Sequence, residues 1–158
     1  MPSPAVRLHK ILESRSLTMA TAESCTGGGL AARLTDTPGA SSIFLGGIVA
    51  YHNRAKIDLL GVPEEILVRH GAVSPETAEA MALGAARRFS TDIGVGITGI
   101  AGPGGGSAGK PVGLVYIAVF DGRGIQACRF DFAGDRASVR RQAVDAAVEL
   151  TLQRLSEV

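Results

Sequence analysis

From Asp92 to Gly99 the chain reads Asp-Ile-Gly-Val-Gly-Ile-Thr-Gly, a β-branched run in which Gly94 and Gly96 alternate with Ile93, Val95 and Ile97. Side chains in a strand alternate between the two faces of the sheet, so such a strand has one branched apolar face and one with no side chains. A layer packed on the bare face meets backbone, and a fold built on this strand must bring something very close to it. The same residue is abundant elsewhere: 21 of 158 positions are glycine, against a typical share of ~7%. They gather at residues 27–29, 46–47 and 94–109, each beside an apolar run. Clusters placed this way point to backbone brought near a ligand or near other backbone, and the functional site is expected among them.

The remaining punctuation orders the elements. Ser3 before Pro4 starts a short amphipathic helix over residues 4–15, and residues 17–23 read as a buried strand. A Gly-rich turn over residues 24–29 leads into a helix that ends near Thr37-Pro38-Gly39. Residues 43–51 suit a second strand, and His52-Asn53 cap a helix stopped by Gly61. A further short helix spans 63–70 and ends at Gly71. Ser74-Pro75-Glu76 combines an N-cap, a proline at the first helical position and an early acid, opening an Ala-rich helix to about Phe89. After the strand at 92–98 and the loop 99–110, strands at 112–120 and 125–132 flank Asp121-Gly122-Arg123-Gly124 as a hairpin. Asp135 caps a last helix over 136–155, with Val139, Ala143, Ala146, Ala147 and Leu150 on one face. Early alternation of strand and helix with a late hairpin predicts an α/β fold: one domain, residues 1–158, with a mixed, mostly parallel sheet of about five strands and helices on both faces.

Sixteen Lys+Arg against 15 Asp+Glu leave a net charge of +1, short of the basic excess by which a domain grips nucleic acid. Cys25 and Cys128 lie too far apart for a CxxC motif. No leader-like apolar segment opens the chain and no run is long enough to span a bilayer, so a soluble cytoplasmic protein with no membrane or nucleic-acid partner is expected.

Three places can carry chemistry. Ser24 leaves a strand where the chain turns into a helix, so its hydroxyl can project at the sheet's C-terminal edge beside free N–H groups. That suits a nucleophile with oxyanion donors, or a bound phosphate; simple helix capping by Ser24 or Thr26 is the competing reading. The motif is not a GxSxG elbow, because Ala22 and Thr26 occupy the flanking positions. Lys56 follows the second strand, five residues after Tyr51. Desolvated, it is a candidate base for a serine; otherwise it is an exposed helix lysine, and Tyr51 a strand residue with a satisfied hydroxyl. The loop 98–110 offers amides that can wrap an anion. Its GxxxxGK match at 104–110 is followed by Pro111 and a strand, and its GxGxxG matches open no helix, so neither a P-loop nor a dinucleotide fingerprint is present. Arg136 and Arg140 share a face at the start of the last helix, as an anion clamp or a solvated basic face. His9, His52 and His70 read as isolated surface residues.

Taken together, Thr21-Ala22-Glu23-Ser24-Cys25-Thr26-Gly27-Gly28, the Tyr51–Lys56 segment, His70-Gly71-Ala72-Val73-Ser74, Thr98-Gly99-Ile100-Ala101-Gly102-Pro103, Lys110-Pro111-Val112-Gly113 and Gly134-Asp135-Arg136 resemble the CinA C-terminal family over nearly the whole chain. The resemblance implies a three-layer α/β/α sandwich and hydrolysis of the carboxamide of nicotinamide mononucleotide to nicotinate mononucleotide and ammonia, with no metal or other cofactor. It casts Ser24 as nucleophile, Lys56 as base and Tyr51 as a hydroxyl that relays the proton or positions the lysine. Thr26, Thr98 and the amides around Gly27, Gly28, Gly99, Ala101 and Gly102 would hold the nucleotide or the oxyanion. Arg140, with Arg136 close behind, would take the phosphate. The alternative is a catalytically silent nucleotide-binding or protein-interaction module linked to competence or DNA damage, as the family's name suggests. Gly- and Ala-rich faces leave room for a homodimer.

Overall fold

The computed structural model describes residues 1–157. Five strands, β1 (Met19–Glu23), β2 (Phe44–Val49), β3 (Ile93–Gly99), β4 (Leu114–Asp121) and β5 (Gly124–Asp131), form one sheet in the order β2-β1-β3-β4-β5. β1 pairs in parallel with β2 and β3, whereas β3–β4 and β4–β5 are antiparallel. Only β4 therefore runs against the other strands, although the four pairings divide evenly between the two types.

Six helices, α1 (Pro4–Ser14), α2 (Gly29–Thr35), α3 (Asn53–Leu60), α4 (Glu64–His70), α5 (Pro75–Phe89) and α6 (Arg136–Ser156), cover both faces. Local chemistry sets their ends. Ser3, Ser74 and Asp135 accept from the amides of Val6, Thr77 and Ser138, and Gly61 closes α3 at φ 68. On one side, Leu8 and Leu12 of α1, Leu30 and Leu34 of α2 and Val139 to Leu155 of α6 close over Met19, Ile93, Val95 and Ile97. On the other, Leu60 and Leu67 join Met81 and Ala85 of α5 over Ala20 and Ala22.

The bare face of β3 receives α5. A Cβ at Gly96 would lie 2.7 Å from the Ala82 amide nitrogen, and one at Gly94 3.0 Å from the Ala86 Cβ. The alanines of α5 and the glycines of β3 thus let a helix axis approach a sheet more closely than ordinary side chains allow. Gly46 of β2 similarly makes room for the Phe89 ring, since a Cβ there would lie 2.8 Å from Phe89 Cζ. At these positions the glycines bring backbone close to other backbone or to a ring, the second of the two alternatives their clustering offered, and the close partner expected on the bare face of β3 is α5.

β1 lies between β2 and β3. The chain leaving β1 enters α2 on one side of the sheet, and the chain leaving β2 enters α3, α4 and α5 on the other. Where connections diverge in this way a crevice opens at the carboxyl ends of parallel strands. Ser24, Ala50-Tyr51 and Thr98-Gly99 all emerge at that edge.

Candidate active site

Ser24 is the first residue past β1, and its amide donates to Ile97 O at 2.9 Å, which ties the turn to β3. Lys56 stands in α3, whose first turn is fixed by His52 Nδ1 accepting from the Arg54 amide at 3.0 Å. The lysine is 1% exposed, so the reading as a surface helix lysine does not hold. Its Nζ lies 3.1 Å from Ser24 Oγ, 3.1 Å from Ala50 O and 3.3 Å from Tyr51 O. Burial pushes its pKa below the ordinary value of 10.5, with nearby Cys25 acting weakly in the opposite sense. Among the described residues no carboxylate pairs with it. A neutral amine has two N–H bonds and one lone pair. The two carbonyls match the N–H bonds, and the lone pair is left for the serine hydroxyl.

The two groups open into a cavity of about 200 Å³ bordered by Thr98, Gly99, Ala101, Arg136 and the Tyr51 segment. A larger groove of about 590 Å³ lies outside α5, where Asp58, Glu76, Glu79 and Arg87 line it, but it contains no nucleophile beside a base. The smaller cavity is the one that joins a hydroxyl to a buried amine. Cys25 also borders it, yet burial first, and Glu23 nearby, push its thiol up to about 11, against weaker opposing effects of its own amide, Arg140 and Lys56. A thiol so raised stays protonated at neutral pH, and the buried amine hydrogen-bonds Ser24 rather than Cys25. Among the described residues neither the Cys25 amide nor the Ala101 amide donates to a backbone carbonyl.

Several sequence-predicted roles are altered by the geometry. Tyr51 reaches Lys56 through its backbone carbonyl. Tyr51 is 58% exposed, and its hydroxyl accepts from Arg136 Nη2 at 2.8 Å rather than meeting Lys56 or Ser24. Lying past the end of β2, the ring points to the rim. Thr26 Oγ1 donates to Glu23 Oε1 at 2.6 Å and is turned away from the cavity. Gly27 and Gly28, at φ 59 and 101, shape the turn without bordering the cavity. Thr98 does border it, with its hydroxyl donating to Ala72 O at 2.7 Å.

The two arginines are placed differently. Arg140 is committed to the carbonyls of Cys25 and Thr26 at 3.0 and 3.2 Å, while Arg136 stands at the rim and bonds Gly102 O at 2.8 Å. The histidines are not isolated either. His9 is buried, His52 caps α3 and His70 sits 3.3 Å from Glu76.

Sequence reasoning passed over Glu23, Cys25, Asn53, Ala72 and Val73, of which the last four border the cavity. For Glu23 a signal was present: a carboxylate ends the otherwise uncharged strand Met19-Ala20-Thr21-Ala22-Glu23, and a charge placed there needs partners. Among the described residues no helix is long and apolar enough to cross a membrane, and no three His, Cys, Asp or Glu gather closely enough to hold a metal ion.

Residues 3–155 match the family model described as CinA C-terminal domain. A CinA-like protein of Cyanothece sp. is 50% identical over 151 residues, covering 94% of this chain and 36% of that one. The chain thus spans about a third of the length of such curated relatives. A crystal structure of a competence-damaged protein (CinA) superfamily protein from Klebsiella pneumoniae superposes with a TM-score of 0.94 at 35% identity, covering 98% of this chain and 97% of the other. The structure of a competence/damage inducible protein from Agrobacterium tumefaciens gives 0.89 at 41% identity, covering 99% and 98%.

Proposed function

Because the chain belongs to the CinA C-terminal domain family, we propose that it is an amidohydrolase converting nicotinamide mononucleotide to nicotinate mononucleotide and ammonia. The observation that carries this reading is the buried amine of Lys56 at 3.1 Å from the Ser24 hydroxyl, with no carboxylate to hold it charged. An unactivated serine is a weak nucleophile, and a desolvated amine is a suitable base for it.

In the proposed reaction Lys56 takes the Ser24 proton as Oγ attacks the carboxamide carbon. The oxyanion is met by the amides of Cys25 and Ala101. Lys56 returns its proton to the amide nitrogen, which leaves as ammonia, and the nucleotide stays esterified to Ser24. A water, deprotonated by the same amine, adds to that ester; Lys56 gives the proton back to Oγ and the carboxylic acid leaves. The enzyme ends as it began.

The cavity is smaller than the roughly 300–1,000 Å³ of pockets that enclose a drug-sized ligand. That size suits enclosure of the carboxamide ring, with ribose and phosphate extending across the rim toward Arg136. Incubation of the purified protein with nicotinamide mononucleotide tests the reading: ammonia and the acid product are expected in equal amounts. Saturable binding without either product would instead support a silent nucleotide-binding module.

A further inference from the structure

Resting on the serine-nucleophile reading above, we propose that Glu23 and Arg140 are paired positioning residues. They clamp the turn that carries Ser24 from opposite sides, and neither contacts substrate. Glu23 is 1% exposed, and it alone among the β1 residues is charged. One carboxylate oxygen accepts from Thr26 Oγ1 at 2.6 Å and Leu30 N at 2.8 Å, and the other from Ala31 N at 3.0 Å. The side chain thus reaches over the turn it precedes and fastens both the middle of that turn and the first amides of α2. From α6, Arg140 takes the carbonyls of Cys25 and Thr26. Guanidinium engages the carbonyls of the turn, and carboxylate engages the Thr26 hydroxyl and the α2 amides that follow, so the turn is held from both sides.

The turn requires such a clamp. Between the anchors lie Gly27 and Gly28, both left-handed and both without a side chain to stiffen them. A loose turn would let Ser24 Oγ drift from Lys56 Nζ and would move the Cys25 amide, the donor adjacent to the nucleophile. Hydrogen bonds to charged groups are roughly twice as strong as neutral ones, which suits a turn that must not move during acyl transfer. Residue 23 also reaches the base: its backbone carbonyl accepts from the Ala50 amide at 2.8 Å, and the Ala50 carbonyl in turn accepts from Lys56. Filled by Glu23, the start of α2 is not the place where the nucleotide phosphate binds.

The test compares the full-length protein with Glu23→Gln, Arg140→Met and the milder Thr26→Val, each checked for folding by circular dichroism and thermal melting. Two rates are read: labelling of Ser24 by a fluorophosphonate probe, mapped by mass spectrometry, and ammonia release from nicotinamide mononucleotide. Small misplacements of reacting groups cost about 10²-fold. Glu23→Gln and Arg140→Met are therefore expected to slow labelling and kcat by about 10–100-fold while KM stays within about twofold; Thr26→Val follows in the same direction with a smaller loss. Labelling at the wild-type rate in the folded variants overturns the proposal, as does an Arg140→Met effect confined to KM, which would make Arg140 a phosphate ligand. Should the wild-type protein label at Ser24 yet release no ammonia, the amidase reading fails while the labelling rates still decide the clamp. Absence of labelling in the wild type overturns the clamp as well, since the turn then presents no reactive serine.

Discussion

Replacing Lys56 by Met keeps most of the buried stem and removes only the amine, so the consequences can be worked out contact by contact. Nζ holds Ser24 Oγ, Ala50 O and Tyr51 O. Without it, the serine hydroxyl has one neighbour, Tyr51 O at 3.5 Å, which can accept a hydrogen bond but cannot take the proton away. Loss of a positioned general base costs about 10²–10⁴-fold in rate, or about 3–5 kcal/mol of barrier. The expected outcome is a fall of that size in kcat with little change in KM. The pH profile adds an independent reading. Lys56 acts only when uncharged, so wild-type activity rises with pH through its lowered pKa, and this ascending limb should vanish in Lys56→Met.

Stability moves in the matching sense. A lysine whose pKa is lower folded than unfolded makes the unfolded chain bind more protons between the two values. Wild-type stability should therefore rise with pH from the lowered value toward 10.5, and that slope should flatten in the variant. Steady-state kinetics and urea titrations across pH measure both. A Lys56→Met protein with kcat within tenfold of wild type, or one that keeps the ascending limb, would refute the assignment of the base.

Arg136→Met should raise KM for nicotinamide mononucleotide by 10-fold or more, about 1.4 kcal/mol or greater, with little change in kcat; a KM within about twofold of wild type would remove Arg136 from phosphate recognition. Asp121 joins the hairpin to the end of α6, accepting from Arg154 Nε at 2.8 Å and Arg123 Nη2 at 3.0 Å. Burial alone would raise its pKa, but the two arginines and the Arg123 amide outweigh it and hold it at about 2. Its contribution to stability is thus full above about pH 3.8 and disappears as pH falls toward 2. Asp121→Asn should cost about 2 kcal/mol at neutral pH, and the gap in thermal melting should close in acid.

Much of the fold could be read from local signals. Ser3-Pro4, Ser74-Pro75, Asp135 and the glycines at 61 and 71 mark helix ends by chemistry that works within a few residues, and the observed helices begin and end there. The alternate glycines of β3 announced a close partner, and α5 is that partner. What sequence could not supply is which buried group meets which. Lys56 resembles any helix lysine until α3 is folded under the end of β2, and the same packing brings the Tyr51 carbonyl, rather than its hydroxyl, to the amine. Arg136 and Arg140 share a helix face, yet one turn of α6 separates a rim position from one above the Ser24 turn. Glu23 went unnoticed because two of its three partners, Leu30 and Ala31, lie beyond a turn whose path two left-handed glycines determine.

Ser24→Ala with nicotinamide mononucleotide is the most direct test of Ser24 as nucleophile, with ammonia release followed and binding measured by calorimetry on the same preparation. Retained binding with ammonia release reduced to the uncatalysed level is the predicted result. Ammonia released by the variant at the wild-type rate would contradict it and remove Ser24 from the reaction.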